Sequence, residues 1–314
     1  SGVSLPAMIS STNAEDKKSI DHCLDSLSSR GYNELITYSF LPKESQNSYC
    51  SENLKIDVLN PISEDKSEMR VTMMQGLLKT AKYNISRQNN NIRFYETGKI
   101  YKKHNDSKII EQNVLAGLIS GINYESNLKK DQQVLDFHDL KGDLMSILPN
   151  LSFMKESKFN HLSPICQASI IQGKTFIGHC GEPSLNLYKR FNIKAKIYYF
   201  EIDIDLLKFN QKTAYKSISI YPRIQRDLTF LVDNEVSGDK IIDAIERKSF
   251  NYMINSRISD IFYNNKEFGD NKKSITVELV FQHHDRTLLD DDINEQISLI
   301  IRYLEDKYNA TVRN

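Results

Sequence analysis

Residue types capable of chemistry recur along this chain, but most stand at spacings that serve none. His283-His284-Asp285 has the composition of a metal cluster. Neighbours on an extended segment point to opposite faces, however, and no cysteine or further acid is spaced to complete a tetrahedral site. His161 with Cys166, and His179 with Cys180, are no better placed. Asp290-Asp291-Asp292 lacks the alternating D-x-D-x-D-G of a calcium loop and reads as a helix cap. The four cysteines, Cys23, Cys50, Cys166 and Cys180, contain no C-x-x-C pair, which predicts reduced thiols. No G-x-x-x-x-G-K-[ST] phosphate loop occurs. What remains is arginine-bearing: Tyr221-Pro222-Arg223-Ile224-Gln225-Arg226-Asp227-Leu228-Thr229-Phe230 and, further on, Asp285-Arg286-Thr287-Leu288.

The elements around these clusters follow from periodicity. Leu228, Phe230 and Val232 alternate as a half-buried strand does, and Ser237 is placed to cap a helix carrying Ile241, Ala244 and Ile245 on one side. A second strand is expected from about Ile258 to Tyr263. Asn264 to Asp270 reads as a hairpin loop, and Ser274 to Gln282 as a third strand, with Ile275, Val277, Leu279 and Phe281 inward. A helix starting near Asp290 buries Ile293, Ile297, Ile300, Ile301 and Leu304, with acids on its positive end. Ala310 to Arg313 closes the set. The order βαββαβ is that of a ferredoxin-like sheet, covered by helices on one face and open on the other.

These residues resemble the ferredoxin-like anticodon-binding domain of the bacterial phenylalanyl-tRNA synthetase β subunit. The matching pieces are Y-P-x-x-x-R-D, the strand from Lys273 to Gln282, and D-R-T-L before an acidic helix. Upstream, Arg30-Gly31-Tyr32 to Phe40, Leu59-Asn60-Pro61-Ile62-Ser63, Met69-Arg70-Val71-Thr72, Gly76-Leu77-Leu78, Tyr83-Asn84, Arg87-Gln88, Phe94-Tyr95-Glu96-Thr97-Gly98, Asp136 to Asp143 and Tyr199-Phe200-Glu201-Ile202-Asp203 resemble the same subunit's catalytic-like domain, in family order. The resemblance covers roughly residues 10 to 314 and implies the C-terminal portion of a much longer subunit. The expected fold is α+β: an antiparallel class II synthetase-like, non-catalytic domain over 1–213, then a ferredoxin-like βαββαβ domain over 214–314.

In the first domain an opening helix is expected over Asp16 to Arg30, with further helices at Gly76 to Gln88 and near Leu140 to Leu148. Strands are expected at Leu35 to Phe40, Lys55 to Leu59, Ile92 to Lys99, Val114 to Ser120, Ala168 to Ile171 and Tyr198 to Ile204, too many for the helices to serve as crossovers. Leu162-Ser163-Pro164-Ile165 and Gly178 to Pro183 depart from the family pattern and read as turns. A class II site needs arginines on the ATP phosphates, because adenylate formation builds negative charge there. Arg93-Phe94-Tyr95-Glu96 is one residue longer than the R-x-E that puts arginine and acid on one strand face, so Arg93 and Glu96 point oppositely. Tyr198 to Asp205 runs into Leu206-Leu207-Lys208-Phe209 with neither a glycine-rich turn nor an arginine. No adenylation site of the chain's own is expected.

On the open face of the second domain Thr229, Leu231, Thr276, Glu278 and Val280 are expected. Such a sheet can receive unstacked bases. The residues to bind tRNA are Phe262 or Tyr263 for stacking, with Arg223, Arg226, Lys273, Arg286 and Arg313 for phosphates or base edges; Arg226-Asp227 and Arg286 also read as structural. The chain has 41 Lys+Arg and 41 Asp+Glu, and residues 215–314 hold 14 against 17, so a grip by bulk positive charge is excluded. With 39% hydrophobic residues and no membrane-length apolar run, a soluble cytoplasmic protein is expected, with neither membrane nor DNA as partner. The resemblance implies a catalytic α subunit in an α2β2 assembly and tRNA-Phe as partners. It also implies ATP and Mg2+ for the assembled enzyme, with no cofactor or metal held by this chain. Two rivals stay open: a self-sufficient synthetase, and a free-standing interaction module that has lost tRNA binding.

Overall fold

The computed structural model describes residues 14–51, 54–103, 108–124, 133–209, 217–263 and 271–313. The hairpin loop expected over 264–270 lies outside them. The chain forms two compact units, Ser1–Lys212 and Thr213–Asn314.

In the first unit α1 (Ala14–Ser29) precedes the two-residue strands β1 (Asn33–Glu34) and β2 (Phe40–Leu41). Next come β3 (Glu68–Met69), α2 (Met74–Ile85), the long pair β4 (Ile92–Lys103) and β5 (Ile109–Ser120), the short β6 (Ile122–Tyr124) and β7 (Gln133–Val134), and α3 (Phe137–Ile147). β8 (Leu151–Lys155), β9 (Leu162–Gln172), β10 (Thr175–Pro183), α4 (Leu185–Phe191) and β11 (Ile197–Asp203) complete it. Seven strands join in the order β1-β4-β5-β11-β10-β9-β8. Every pair is antiparallel except β1 with β4.

Period-2 alternation gives this sheet two buried faces. Tyr95, Leu115, Phe200 and Ile202 pack with Leu27 of α1 and Leu140 and Leu144 of α3. Ile92, Phe94, Leu118 and Tyr199 pack with Met74, Leu77 and Leu78 of α2 and Leu187 of α4. The start of α3 is fixed by a reciprocal capping box: Asp136 accepts from the His138 and Asp139 N–H groups, and Asp139 accepts from the Asp136 N–H. That start sets Asp143 one turn on from Asp139, facing the sheet.

Several expected elements differ. Leu35 to Phe40 is not one strand: the Leu35 N–H reaches the Tyr95 carbonyl at 2.7 Å, but the Thr37 N–H goes to the Glu96 carboxylate, so the ladder stops. Lys55 to Leu59 makes only the isolated bridge Asp57↔Glu68. Leu162 to Ile165 and Gly178 to Pro183 are not turns but parts of β9 and β10, which pair from Thr175↔Gln172 to Pro183↔Leu162; register shifts at Phe176/Gly178 and Gly181/Pro183 absorb the Pro and Gly residues that suggest turns.

The second unit runs β12 (Ile224–Asp233), α5 (Gly238–Lys248), β13 (Met253–Phe262), β14 (Lys272–Phe281), α6 (Asp290–Tyr308) and β15 (Thr311–Arg313), the expected βαββαβ order. The sheet order is β13-β14-β12-β15, antiparallel throughout. Phe230, Val232, Ile275, Val277, Leu279 and Phe281 pack under Ile241 and Ile245 of α5 and Ile293, Ile300 and Leu304 of α6. Ser237 precedes α5 as expected but makes no side-chain cap bond. At α6 it is Asp292 that caps, accepting from the Leu289 N–H at 3.0 Å, and Asn309 ends the helix in the left-handed region, φ 49°. β13 begins five residues before the expected Ile258.

Candidate functional site

The helices cover one face of the second sheet, and strand register sorts the residues expected to meet RNA. Phe262 pairs with Ser274, and Arg313 pairs with Thr229; both lie on the uncovered face, on its two edge strands, three strand spacings apart. Arg226 sits opposite Leu279, and Lys273 opposite Val232, which places both on the helix-covered face. Arg226 is paired with Asp290 of α6 at 3.0 Å, not with the adjacent Asp227. Lys273 is buried, donates to the Asn234 carbonyl at 2.9 Å and lies 5.7 Å from the centre of the Tyr263 ring. Arg286 is held bidentately by Asp292, at 2.6 and 2.9 Å, over the ring of Tyr252. The paired guanidinium holds the Asp292 carboxyl down at about 2, and the hydrogen bond from Leu289 adds to this. Arg223 is exposed, and its guanidinium has no hydrogen-bond or ion-pair partner among the described residues. The seven residues therefore do not form one patch.

The centre of the uncovered face holds a group that the sequence reading missed. Glu278 of β14 is 7% exposed. Both its oxygens are engaged: Arg257 Nε reaches Oε1 at 2.7 Å, Arg257 Nη2 reaches Oε2 at 2.8 Å, and Gln225 Nε2 donates to Oε2 at 2.7 Å. Arg257, Glu278 and Asp227 form one cross-strand row. The signal was present in the alternation of β14. An expected strand beginning at Ile258 left Arg257 outside it.

The sheet face beneath α2 in the first unit is polar at its centre. Glu201 Oε2 accepts from the Tyr199 hydroxyl at 2.7 Å, the Thr72 hydroxyl at 2.8 Å and the Met73 N–H at 2.9 Å. Burial opposes its ionisation, but His179, Lys102 and the Met73 and Tyr199 donors together outweigh burial and lower its pKa. Arg70 Nη1 meets Glu96 Oε1 at 2.7 Å, with both side chains about 95% or more buried. Gly98 makes room for that guanidinium, since a Cβ there would run into Arg70. His161 and His179, which show no link in sequence, share a hydrogen bond between their Nε2 atoms at 2.9 Å, and His179 stacks on Phe159. Burial lowers their pKa values to about 4 and about 3. On the opposite face Arg93 is paired with Asp143, which also receives Arg30 and the Tyr32 hydroxyl. Arg93 and Glu96 do point to opposite sides.

Among the described residues no three His, Cys, Asp or Glu side chains are grouped to hold a metal ion, and no helix is long and apolar enough to cross a membrane.

Residues 3–204 match the family model described as the phenylalanyl tRNA synthetase beta chain CLM domain, and residues 219–313 match the ferredoxin-fold anticodon binding domain. The fold is thus α+β, a synthetase β-chain CLM domain followed by a ferredoxin-fold anticodon-binding domain. The chain belongs to the phenylalanyl-tRNA synthetase β-chain family. It is 32% identical over 304 residues to the phenylalanine–tRNA ligase β subunit of Hahella chejuensis, covering 96% of this chain and 38% of that protein. The Legionella pneumophila (strain Lens) β subunit is 33% identical over 303 residues, covering 95% and 38%. The chain therefore spans under two fifths of the length of these relatives. Two Desulfitobacterium hafniense pyrrolysyl-tRNA synthetase structures resemble it at TM-scores of 0.45 and 0.46, each with 12% identity over 60% of this chain and 66% and 67% of theirs; at those scores nothing about chemistry follows.

Proposed function

We propose that this chain is a non-catalytic part of a phenylalanine–tRNA ligase β subunit. Its first unit docks the catalytic α subunit, and its second binds the anticodon region of tRNA-Phe. The α2β2 assembly, in the cytoplasm, charges the tRNA with phenylalanine using ATP and Mg2+. The main support for the non-catalytic reading is that Arg93 of β4 and Arg70, just after β3, are already bound to acids of the chain: Arg70 is sealed against Glu96 and Arg93 is paired with Asp143. Support for docking comes from apolar side chains that the fold leaves uncovered: Ile36 is 95% exposed, Ile62 93% and Leu59 100%. Ile36 also helps line a groove of about 900 Å³ bounded by Tyr38, Phe40 and Phe191.

The contribution to rate is positional: fixing the subunit geometry and the tRNA body keeps the 3′ end near the adenylate formed on the α subunit. The test is phenylalanine-dependent ATP–pyrophosphate exchange by the chain alone and with an α subunit. Exchange is expected only when α is present. Exchange by the isolated chain would restore the self-sufficient synthetase.

A further inference from the structure

We propose that Arg257, held on the uncovered sheet face by its two-point pairing with Glu278, is the planar group on which one unpaired anticodon base stacks, with Asp227 on the far side of Glu278 to accept from that base's edge. This rests on the reading of the second unit as the tRNA-binding one.

A sheet that receives single-stranded RNA stacks bases on aromatic rings or on guanidinium planes and reads their edges with nearby polar groups. Among the described residues of the four strands, Phe262 is the aromatic side chain on the uncovered face, at its rim, and the centre holds Asp227, Thr229, Thr276 and Glu278. Arg257 stands on the edge strand β13, and its planar guanidinium reaches inward to the Glu278 carboxylate on β14. Its side chain is 65% exposed, whereas the Glu278 side chain that holds it is only 9% exposed.

A guanidinium carries five N–H donors in a rigid fork. Arg257 uses Nε and one Nη2 hydrogen on Glu278, and the remaining three have no partner among the described residues. The Gln225 amide donates to the same carboxylate, so Glu278 carries three hydrogen bonds and is fixed in orientation; the plane it holds is fixed with it. The hydrogen bond that Arg257 donates to Glu278 raises the Arg257 pKa further, which keeps the plane charged and strengthens its attraction to a base. Asp227 stands across Glu278 from Arg257 in the same row and is exposed, so it offers an acceptor on the other side of that carboxylate. Donors, an acceptor and a flat cation in one row suit a single nucleobase better than a run of phosphates, for which Asp227 and Glu278 have the wrong sign.

The test uses the assembled α/β enzyme with Arg257→Ala or Arg257→Lys in its β chain, and both tRNA-Phe and a tRNA-Phe with a replaced anticodon. Loss of one stacked base raises the tRNA KM by roughly 5- to 150-fold. The kcat at saturating tRNA and the ATP–pyrophosphate exchange are expected to stay unchanged. Lysine keeps the charge but not the plane, so Arg257→Lys is expected to remain impaired, and the penalty for replacing the anticodon is expected to shrink in both variants. If the wild type discriminates against the replaced anticodon but Arg257→Ala keeps the wild-type KM, Arg257 is only a brace for Glu278 and the proposal falls. Full rescue by lysine overturns the stacking role. A wild type indifferent to the anticodon overturns the underlying reading of the second unit, and the proposal with it.

Discussion

The charged residues that a catalytic reading would reach for are spent inside the protein. Removing one partner of a buried ion pair such as Arg70–Glu96 leaves an uncompensated charge, so each residue is needed by the fold without any chemistry to perform. The His161–His179 pair carries a consequence for stability. Both rings are held neutral by burial, at pKa values of about 4 and about 3, whereas in the unfolded chain each titrates near 6.5. As pH falls below 6.5 the unfolded state takes up protons that the folded state refuses. Stability is therefore complete above that value and drops by about 1.4 kcal/mol per histidine for each pH unit down to about 4. Urea midpoints of the first unit measured between pH 7 and 4 should fall accordingly, and His179→Phe, which has no proton to take up, should show a shallower decline. Equal slopes for the two proteins would remove the histidines as the cause.

The helices of the second unit show how an element's pattern becomes packing. α6 spans Asp290–Tyr308 and buries Ile293, Ile300 and Leu304 against β12 and β14. Leu304 is fully buried. Leu304→Ala is expected to cost about 2–5 kcal/mol, read as a lower denaturation midpoint of the second unit with that of the first unchanged. This element was legible in the sequence because its apolar spacing and its acidic start agree. β14 was legible for the same reason, with four inward residues alternating along one strand. The segment around Leu35 was not: its strand-like composition is overridden by Glu96, which takes the Thr37 N–H and hydroxyl at 3.2 and 2.8 Å, a long-range contact that no local pattern reveals. β9 and β10 were misread in part because Pro164, Gly178 and Gly181 resemble turn residues; in the sheet Gly178 instead admits the backbone of Glu201 on the neighbouring strand. The candidate site divides along the same line. Arg223, Arg286 and Phe262 could be nominated from the sequence, but the face each occupies depends on register, and Arg257 entered only once β13 was seen to begin at Met253.

At the scale of the whole chain, two units with separate cores serve two kinds of surface. The first exposes large apolar side chains next to a groove, and the second exposes a polar sheet face. With 41 cationic and 41 anionic side chains the molecule has no general attraction for nucleic acid, so the proposed binding of tRNA is predicted to be local, with a salt dependence shallower than that of a protein that neutralises many phosphates. The most direct test of the account is to co-express this chain with a phenylalanyl-tRNA synthetase α subunit and to measure the mass of the product by size-exclusion chromatography with light scattering. The account predicts co-elution at the mass of a complex, lost when Ile36 and Leu59 are both changed to Asp. Separate elution of two folded chains would contradict the docking role of the first unit.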